Sequence, residues 1–164
     1  MQKTNAMRFL DKNKIAYNTY EYECKDGHID GVSVANKLNQ DVTTVFKTLV
    51  AQGHSKELYV FVIPVAEELN LKKAAKVAGE KNIEMIHVKD INKYTGYIRG
   101  GCSPVGMKKS YSTFVHESAK KLEKIIVSGG KIGFQIELTP QDLQKAINFK
   151  YFDIIKCNWH LIGC

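Results

Sequence analysis

Residues 45–65 read VFKTLVAQGHSKELYVFVIPV and contain two runs rich in β-branched and aromatic residues. The runs cover positions 45–51 and 58–65, and a polar segment with one glycine separates them. Such residues favour strands, and a connection of this length commonly joins neighbouring antiparallel strands. The stretch therefore predicts a β-hairpin.

On either side of the hairpin, cap and turn signals divide the chain into short elements. Thr4, Asn70 and Thr139 can each cap a helix, and Pro140 fits the first helical position. The predicted helices end near residues 12, 38, 78, 94 and 147. The other predicted strands cover 17–22, 84–87, 112–115, 124–127, 134–138 and 151–155.

These elements do not follow the regular βαβ order of a doubly wound fold. Hairpins mixed with single helices predict an α+β protein, with a mixed, partly curled β-sheet flanked by helices. The 164 residues are close to the usual size of one domain. We expect a single domain over 1–156 and a C-terminal tail over 157–164.

Composition and charge restrict the class of protein further. The longest apolar run, 58–66, is too short for a membrane span, and no signal-peptide pattern is present, so we expect a cytoplasmic protein. The net charge of +7 and the pI near 9.1 favour binding to polyanions such as RNA or DNA. Lysine pairs recur along the chain, so folding must assemble any such surface.

The four cysteines stand at 24, 102, 157 and 164 without a CxxC pair, and we expect free thiols. Cys157, His160 and Cys164 have a spacing that suits zinc, but no fourth ligand is near. Cys102 lacks a histidine in sequence that would activate it as a nucleophile. We therefore predict no metal and no cofactor.

Lys47 lies within an otherwise apolar predicted strand. Alternation of side chains places it on one face with Val45 and Leu49, and places Phe46 and Val50 on the other. A lysine in such a position is costly to desolvate unless it reaches an anion or an open cleft. The alternative is an edge-strand lysine that prevents aggregation.

Two glycine segments are further candidates for a binding site. In the first, 100–104, glycines permit close backbone approach to a ligand and Ser103 supplies a hydroxyl. The second, 127–131, places Ser128 and Gly129 at a strand end but lacks the spacing of a nucleotide-triphosphate loop. The first is equally consistent with an ordinary turn, which is the commoner outcome, and for the second a plain hairpin turn is a strong alternative.

Five separated segments, in order, resemble the YbaK/EbsC family of Cys-tRNA(Pro) deacylases. They are FKTL (46–49), LNLKKAAK (69–76), TGY (95–97), GGCSPVG (100–106) and VSGGK (127–131). The resemblance extends from the first helix to residue 155. It implies a mixed β-sheet flanked by helices and an enzyme, a deacylase that clears misacylated tRNA without a cofactor.

The resemblance also implies the site. Lys47 matches the family's key lysine, and Thr48 or Ser103 supplies a hydroxyl. The other implied substrate-binding residues are Tyr20, Gly100, Gly101, Pro104, Ser128 and Gly129. In this family the substrate's own cysteine thiol is thought to attack the ester. The implied partners are the acceptor end of misacylated tRNA(Pro) and prolyl-tRNA synthetase.

Two other functions stay open from the sequence. One is an Ala-tRNA(Pro) deacylase in which a bound water attacks, and the other is a non-catalytic module that binds tRNA or a synthetase. The sequence does not determine which amino acid is removed, whether a synthetase is required, the oligomeric state, or the role of the tail at 157–164.

Overall fold

The computed structural model describes residues 3–157. Its strands are β1 (Asn18–Glu21), β2 (Phe46–Gly53), β3 (Leu58–Pro64), β4 (Ile83–Met85), β5 (Ser112–His116), β6 (Ile125–Ser128), β7 (Phe134–Leu138) and β8 (Phe149–Phe152). Its helices are α1 (Asn5–Lys12), α2 (Gly31–Lys37), α3 (Leu71–Ala78), α4 (Ile91–Thr95) and α5 (Pro140–Ala146). Short 3-10 turns cover Val42–Thr44, Val88–Asp90 and Glu117–Lys121.

The predicted hairpin is confirmed and forms the middle of a five-stranded sheet with the order β4-β2-β3-β5-β8. Strands β2 and β3 pair antiparallel, with Phe46 opposite Pro64 and Gln52 opposite Leu58. Strand β5 joins β3 in parallel, and β8 joins β5 in parallel. The sheet is therefore mixed, as predicted.

A second sheet has three antiparallel strands in the order β1-β7-β6. One parallel bridge, from Val45 to Ile126, connects it to the start of β2. The α+β class is confirmed, and the curl expected of one sheet takes the form of two sheets that meet at this bridge.

Helix starts follow the local cap signals. The side chains of Thr4, Asn70 and Thr139 accept hydrogen bonds from the backbone N–H three residues further on. Asp30 caps α2 in the same way. These contacts satisfy amide groups that the helix itself leaves unpaired. The predicted helix at 88–94 begins instead as the 3-10 turn Val88–Asp90 and continues as α4.

The last strand lies earlier in the chain than predicted. Strand β8 covers Phe149–Phe152, whereas the sequence predicts 151–155. Ile154 is fully buried and its N–H donates to His116 Nδ1, and Ile155 forms an isolated antiparallel bridge with Leu69. The apolar end of the segment thus pairs outside β8 rather than extending it.

Both faces of the five-stranded sheet are covered. On one face Phe46 and Val50 share a core with Met7 and Leu10 of α1 and Leu143 of α5. On the other face Ile63 packs with a second cluster that includes Ala74 and Ala75 of α3, and Leu49 lies against it. Phe46 and Val50 thus face away from Leu49, as the alternation predicts.

Cys24 and Cys102 are free, and Cys157 is disulfide-bonded, so the expectation of a free thiol is wrong at Cys157. The rest of the predicted tail, 158–164, lies outside the described residues. Between residues 3 and 157 there is no helix long and apolar enough to cross a membrane. The same residues contain no group of three His, Cys, Asp or Glu side chains arranged to hold a metal ion.

Candidate functional site

Three polar side chains form a row across the smaller sheet. Tyr20 on β1 lies opposite Gln135 on β7, and Gln135 lies opposite Ser128 on β6. Residues paired in this way point to the same face of a sheet. Their neighbours Ile136 and Val127 point to the opposite face, where they belong to the core that contains α1. The row therefore lies away from that core.

Lys47 extends this row onto the larger sheet. The parallel bridge between Val45 and Ile126 aligns the start of β2 with β6. Because side chains alternate along both strands, Lys47 and Ser128, each two residues beyond this bridge, lie on the same face. The order across the two sheets is thus Tyr20, Gln135, Ser128 and Lys47.

The half-buried amine of Lys47 has an altered proton affinity. Burial lowers the pKa of Lys47 below its ordinary value, and the nearby carboxylates of Glu68 and Glu67 counteract this effect. Neither carboxylate, nor any other in residues 3–157, forms an ion pair with Lys47. A cation without a protein partner at this position is suited to an anionic or carbonyl ligand.

Helix α2 and the residues after it cover the row. Ala35 of α2 packs with Val45, Val65 and Ile126, and Tyr20 lies against the same cluster. Beyond the helix, Gln40 Nε2 donates a hydrogen bond of 2.8 Å to Oε1 of Gln135. Tyr20 in turn donates to Glu137 Oε2 over 3.1 Å. The packing of α2 and the side-chain hydrogen bonds of Gln40 and Glu137 therefore hold the row in place, in addition to the pairing of its strands.

The first glycine segment packs against the second. A Cβ on Gly101 would lie 3.1 Å from the Cα of Lys131 and 3.0 Å from the backbone nitrogen of Ile132, which leaves no room for a side chain. Gly100 is exposed with φ near +86°, a conformation that favours glycine, and it lies against Ile29 and Ile132. Close backbone approach thus joins the two predicted segments.

The turn after Ser128 is fixed by its own hydrogen bonds. Ser128 Oγ accepts from the N–H of Gly130 at 3.2 Å, and the N–H of Gly129 donates to the carbonyl of Phe134 at 2.9 Å. The hydroxyl of Thr4 donates to the carbonyl of Gly129 at 2.5 Å. This last bond joins the turn to the start of α1.

Two predicted hydroxyls lie apart from the row. Thr48 is on the opposite face of β2 from Lys47, and its buried Oγ1 has no hydrogen-bond partner among residues 3–157. Ser103 is 0% exposed, and its hydroxyl accepts from the N–H of Val105 at 3.2 Å. Pro104 is also buried, and it lines a separate cavity of about 270 Å³ beside Tyr111 and Asn148. The structure does not bring these three residues together with Lys47.

Cys102 has the properties of a packing residue. It is buried in the core that contains α1, and burial raises the pKa of its thiol to about 11. A thiol of this kind is rarely ionised near neutral pH and is a poor nucleophile. The sequence interpretation, which assigned Cys102 no catalytic role, agrees with this geometry.

Sequence reasoning missed Gln135. The segment 134–138 reads FQIEL and alternates apolar and polar residues, so it places Gln135 and Glu137 on one face. Its pairing with Ser128 lies within the local β6–β7 hairpin, but its pairing with Tyr20 depends on strands that are far apart in the chain. The alternation was the available signal, but it does not identify the partners.

Comparison with known proteins identifies the family of the chain. The family described as the aminoacyl-tRNA editing domain matches residues 30–146, which include Lys47, Gly100, Ser128 and Gln135. The chain belongs to this family. The editing domain is also 46% identical, over 153 residues and 93% of each chain, to EbsC of Enterococcus faecalis, a candidate Cys-tRNA(Pro)/Cys-tRNA(Cys) deacylase by name.

More distant relatives share a segment or the fold. The editing domain is 26% identical to a proline–tRNA ligase of Brachyspira hyodysenteriae over 108 residues, which are 63% of this chain and 19% of the ligase. A solved structure of a candidate trans-editing enzyme for prolyl tRNA synthetase superposes with a TM-score of 0.83 at 19% identity. That match covers 96% of this chain and 100% of the solved one. The hypothetical protein APE2540 gives a TM-score of 0.84 at 19% identity, over 93% and 99% of the two chains.

Proposed function

We propose that this editing domain is a trans-acting deacylase that removes a wrongly attached amino acid from tRNA, with Cys-tRNA(Pro) as its main substrate. The observation that supports the proposal is the row of Tyr20, Gln135, Ser128 and Lys47, in which Lys47 has no ion-pair partner in the described chain. The 46% identity to EbsC, named for the same substrate, supports the choice of amino acid.

The reaction that fits this site uses the substrate's own thiol. The sulfur of the esterified cysteine attacks its ester carbonyl carbon, and the bond from that carbon to the ribose oxygen breaks. The thiol proton is transferred to the ribose oxygen, so the products are tRNA with a free hydroxyl and a four-membered thiolactone. Water then hydrolyses the thiolactone to cysteine. This route requires no protein nucleophile, which agrees with the buried, high-pKa Cys102.

The protein then has to orient the ester and stabilise charge that develops on the carbonyl oxygen. Lys47 is the cation of the row, and it anchors the phosphate or ribose of the terminal adenosine. Ser128, the next residue of the row, and Gln135, one strand further away, supply polar contacts to the aminoacyl group. Exposed Gly100, beside Ile132, lets the terminal nucleotide approach the backbone closely.

The proposal extends to partners and location. A substrate of this kind is the acceptor end of misacylated tRNA(Pro), and the net charge of +7 suits such a polyanion. The likeness to a segment of a proline–tRNA ligase favours association with prolyl-tRNA synthetase. Translation takes place in the cytoplasm, where we expect this chain to act.

The test is deacylation of Cys-tRNA(Pro) and Ala-tRNA(Pro) by the purified protein and by Lys47→Met, which keeps an unbranched apolar stem. Lys150→Met is the matched control, since Lys150 is an exposed strand lysine on β8. We expect the Lys47 variant to lose about 100-fold or more in kcat/KM on Cys-tRNA(Pro), because the ester is no longer held in the orientation that the reaction requires. The Lys150 variant should retain the activity of the parent protein.

A substrate with an S-methylated cysteine distinguishes the mechanisms. The thiol route predicts no turnover of this substrate, whereas attack by a bound water predicts that it and Ala-tRNA(Pro) are both hydrolysed. Salt-dependent tRNA binding without hydrolysis of any substrate would refute the proposed catalytic activity. The protein would then be a non-catalytic module that binds tRNA.

A further inference from the structure

A basic cleft lies beside the turn that carries Ser128. It has a volume of about 310 Å³ and is formed by the start of α1 and the turn before β7. Three cationic side chains, Lys3, Arg8 and Lys131, line it, and no acidic side chain does. Phe134 supplies an aromatic surface in the same cleft.

Two of the three cations are available to a ligand. The Lys3 ammonium is hydrogen-bonded to Asp11, which compensates its charge. Arg8 and Lys131 are exposed, and none of the carboxylates in residues 3–157 forms an ion pair with either of them. The cleft therefore carries uncompensated positive charge.

Arg8 is held in position by the chain around it. One guanidinium nitrogen donates to the carbonyl of Lys3 at 2.7 Å, and another donates to Oδ1 of Asn5. A guanidinium has five N–H donors, so the remaining ones are available for a ligand oxygen. A fixed, planar donor group of this kind suits a phosphate.

The cleft and the candidate site share the turn that follows Ser128. Gly130 lines the cleft, and its N–H donates to Ser128 Oγ, which belongs to the row. Thr4 also lines the cleft and donates to the carbonyl of Gly129. The cleft lies on the α1 side of the small sheet and the row on its other face, so a chain that ends at the row reaches the cleft by crossing the end of the sheet at this turn.

We infer that this cleft binds the phosphodiester backbone of the single-stranded end of the RNA, one or two nucleotides before the terminal aminoacyl adenosine. The inference rests on the proposed function, because it assumes that the aminoacyl end occupies the row. A positive groove with an aromatic side chain is the usual platform for single-stranded nucleic acid. The cavity beside Pro104 is less suitable, because Lys145 there is paired with Asp142 at 3.3 Å, which leaves Lys109 as its one lysine without an ion pair among residues 3–157.

The test measures binding of an uncharged RNA minihelix that has the acceptor stem of tRNA(Pro), a single-stranded CCA end and a fluorescent label. Arg8→Gln/Lys131→Gln removes both free cations of the cleft. Lys120→Gln/Lys121→Gln is the matched control, since these exposed lysines of the turn Glu117–Lys121 line neither cavity. Both doubles remove two charges.

We expect the cleft double to weaken binding at least about tenfold. We also expect its plot of log affinity against log salt to flatten by about 1.4, because each phosphate contact to a single strand accounts for roughly 0.7. The control double should change affinity less than about threefold. Arg8→Lys/Lys131→Arg, which preserves both charges, should retain most of the salt dependence.

Equal losses in the two doubles, or an unchanged salt slope in the cleft double, would overturn the inference. Loss of synthetase binding with RNA binding intact would overturn it too and assign the cleft to a protein partner. The RNA in this test carries no amino acid, so binding is measured independently of deacylation. If the Arg8/Lys131 variant binds RNA more weakly as expected but the parent protein does not deacylate tRNA, only the proposed function is refuted. If the parent protein deacylates tRNA normally but the Arg8/Lys131 variant binds RNA as tightly as the parent, only the inference about the cleft is refuted.

Discussion

Lys47 and Thr48 are adjacent in sequence but lie on opposite faces of β2. The polar groups on these two faces differ in whether they have partners within the protein. On the Thr48 face, the hydroxyl of Ser103 bonds to the backbone of its own loop, and Cys102 is buried in the core. On the Lys47 face, the amine has no ion-pair partner among residues 3–157, and the half-buried Ser128 lies on the same face.

The difference separates two kinds of residue within the motifs. The segment 101–105 is buried and packs against the backbone of the neighbouring turn, so its sequence shapes the site without lining it. Lys47, Ser128 and Gln135 occupy the other face, where Gln135 is 4% exposed and accepts from Gln40, and where Lys47 has no ion pair among residues 3–157. The comparison predicts that substitutions on the Lys47 face change activity, and substitutions on the Thr48 face change stability.

Gln135→Met should separate the two faces most clearly, because it is expected to lower both activity and stability. It removes the amide from the row, and we predict that kcat/KM on Cys-tRNA(Pro) falls about tenfold or more. It also breaks the hydrogen bond from Gln40, at about 1–3 kcal/mol of stability. Deacylation rates and urea unfolding curves give the two quantities.

Gln40→Met is the matched control for this prediction. It breaks the same hydrogen bond from the other side but leaves the amide of Gln135 in the row. We expect a similar loss of stability and a change in kcat/KM of only a few-fold. Equal losses of activity in the two variants would mean that Gln135 acts only through packing.

The buried thiol of Cys102 should lower the free energy of unfolding at alkaline pH. This effect is expected to be smaller than that of Gln135→Met and larger than that of Thr48→Val. Burial raises the pKa of its thiol from 9.0 to about 11, so the folded protein keeps the proton where the unfolded chain loses it. Below pH 9 both states are protonated and the effect is absent. Between pH 9 and 11 the free energy of unfolding falls by roughly 2 kcal/mol through this group.

The measurement compares urea unfolding of the parent protein and Cys102→Ala at pH 8 and pH 11. Part of the alkaline loss should disappear in Cys102→Ala and remain in Cys24→Ala, because Cys24 is exposed. Identical pH profiles for the parent and Cys102→Ala would contradict the burial of this thiol.

Thr48→Val should have the smallest effect. The hydroxyl is buried without a hydrogen-bond partner in residues 3–157, and valine has nearly the same shape. We expect a gain of about 1 kcal/mol or less in the free energy of unfolding, with kcat/KM unchanged. A clear loss of deacylation would show that this hydroxyl contacts the substrate and that the faces are not separate in function.

Local features of the fold could be predicted from the sequence, because neighbouring residues determine them. The caps at Thr4, Asn70 and Thr139 and the β2–β3 hairpin depend on interactions within a few residues. The end of β8 was misplaced because Ile155 pairs with Leu69, a contact that no local pattern encodes.

The candidate site was less accessible to sequence reasoning. Lys47 stood out because a cation in an apolar strand is costly, and the same alternation separates it from Thr48. The row needs the pairing of Tyr20 with Gln135 and the bridge from Val45 to Ile126. Such long-range registers follow from the packing of the whole chain.

The pairing of β1 with β7 has a consequence for how the protein is made. Asn18 and Glu137 are 119 residues apart, yet their side chains meet in this pair. Strand β1 can pair only after residues 134–138 have been synthesised, and pairs between strands so far apart in the chain form slowly. The ribosome must therefore complete strand β7 before the row can assemble, so a shorter nascent chain lacks the proposed site.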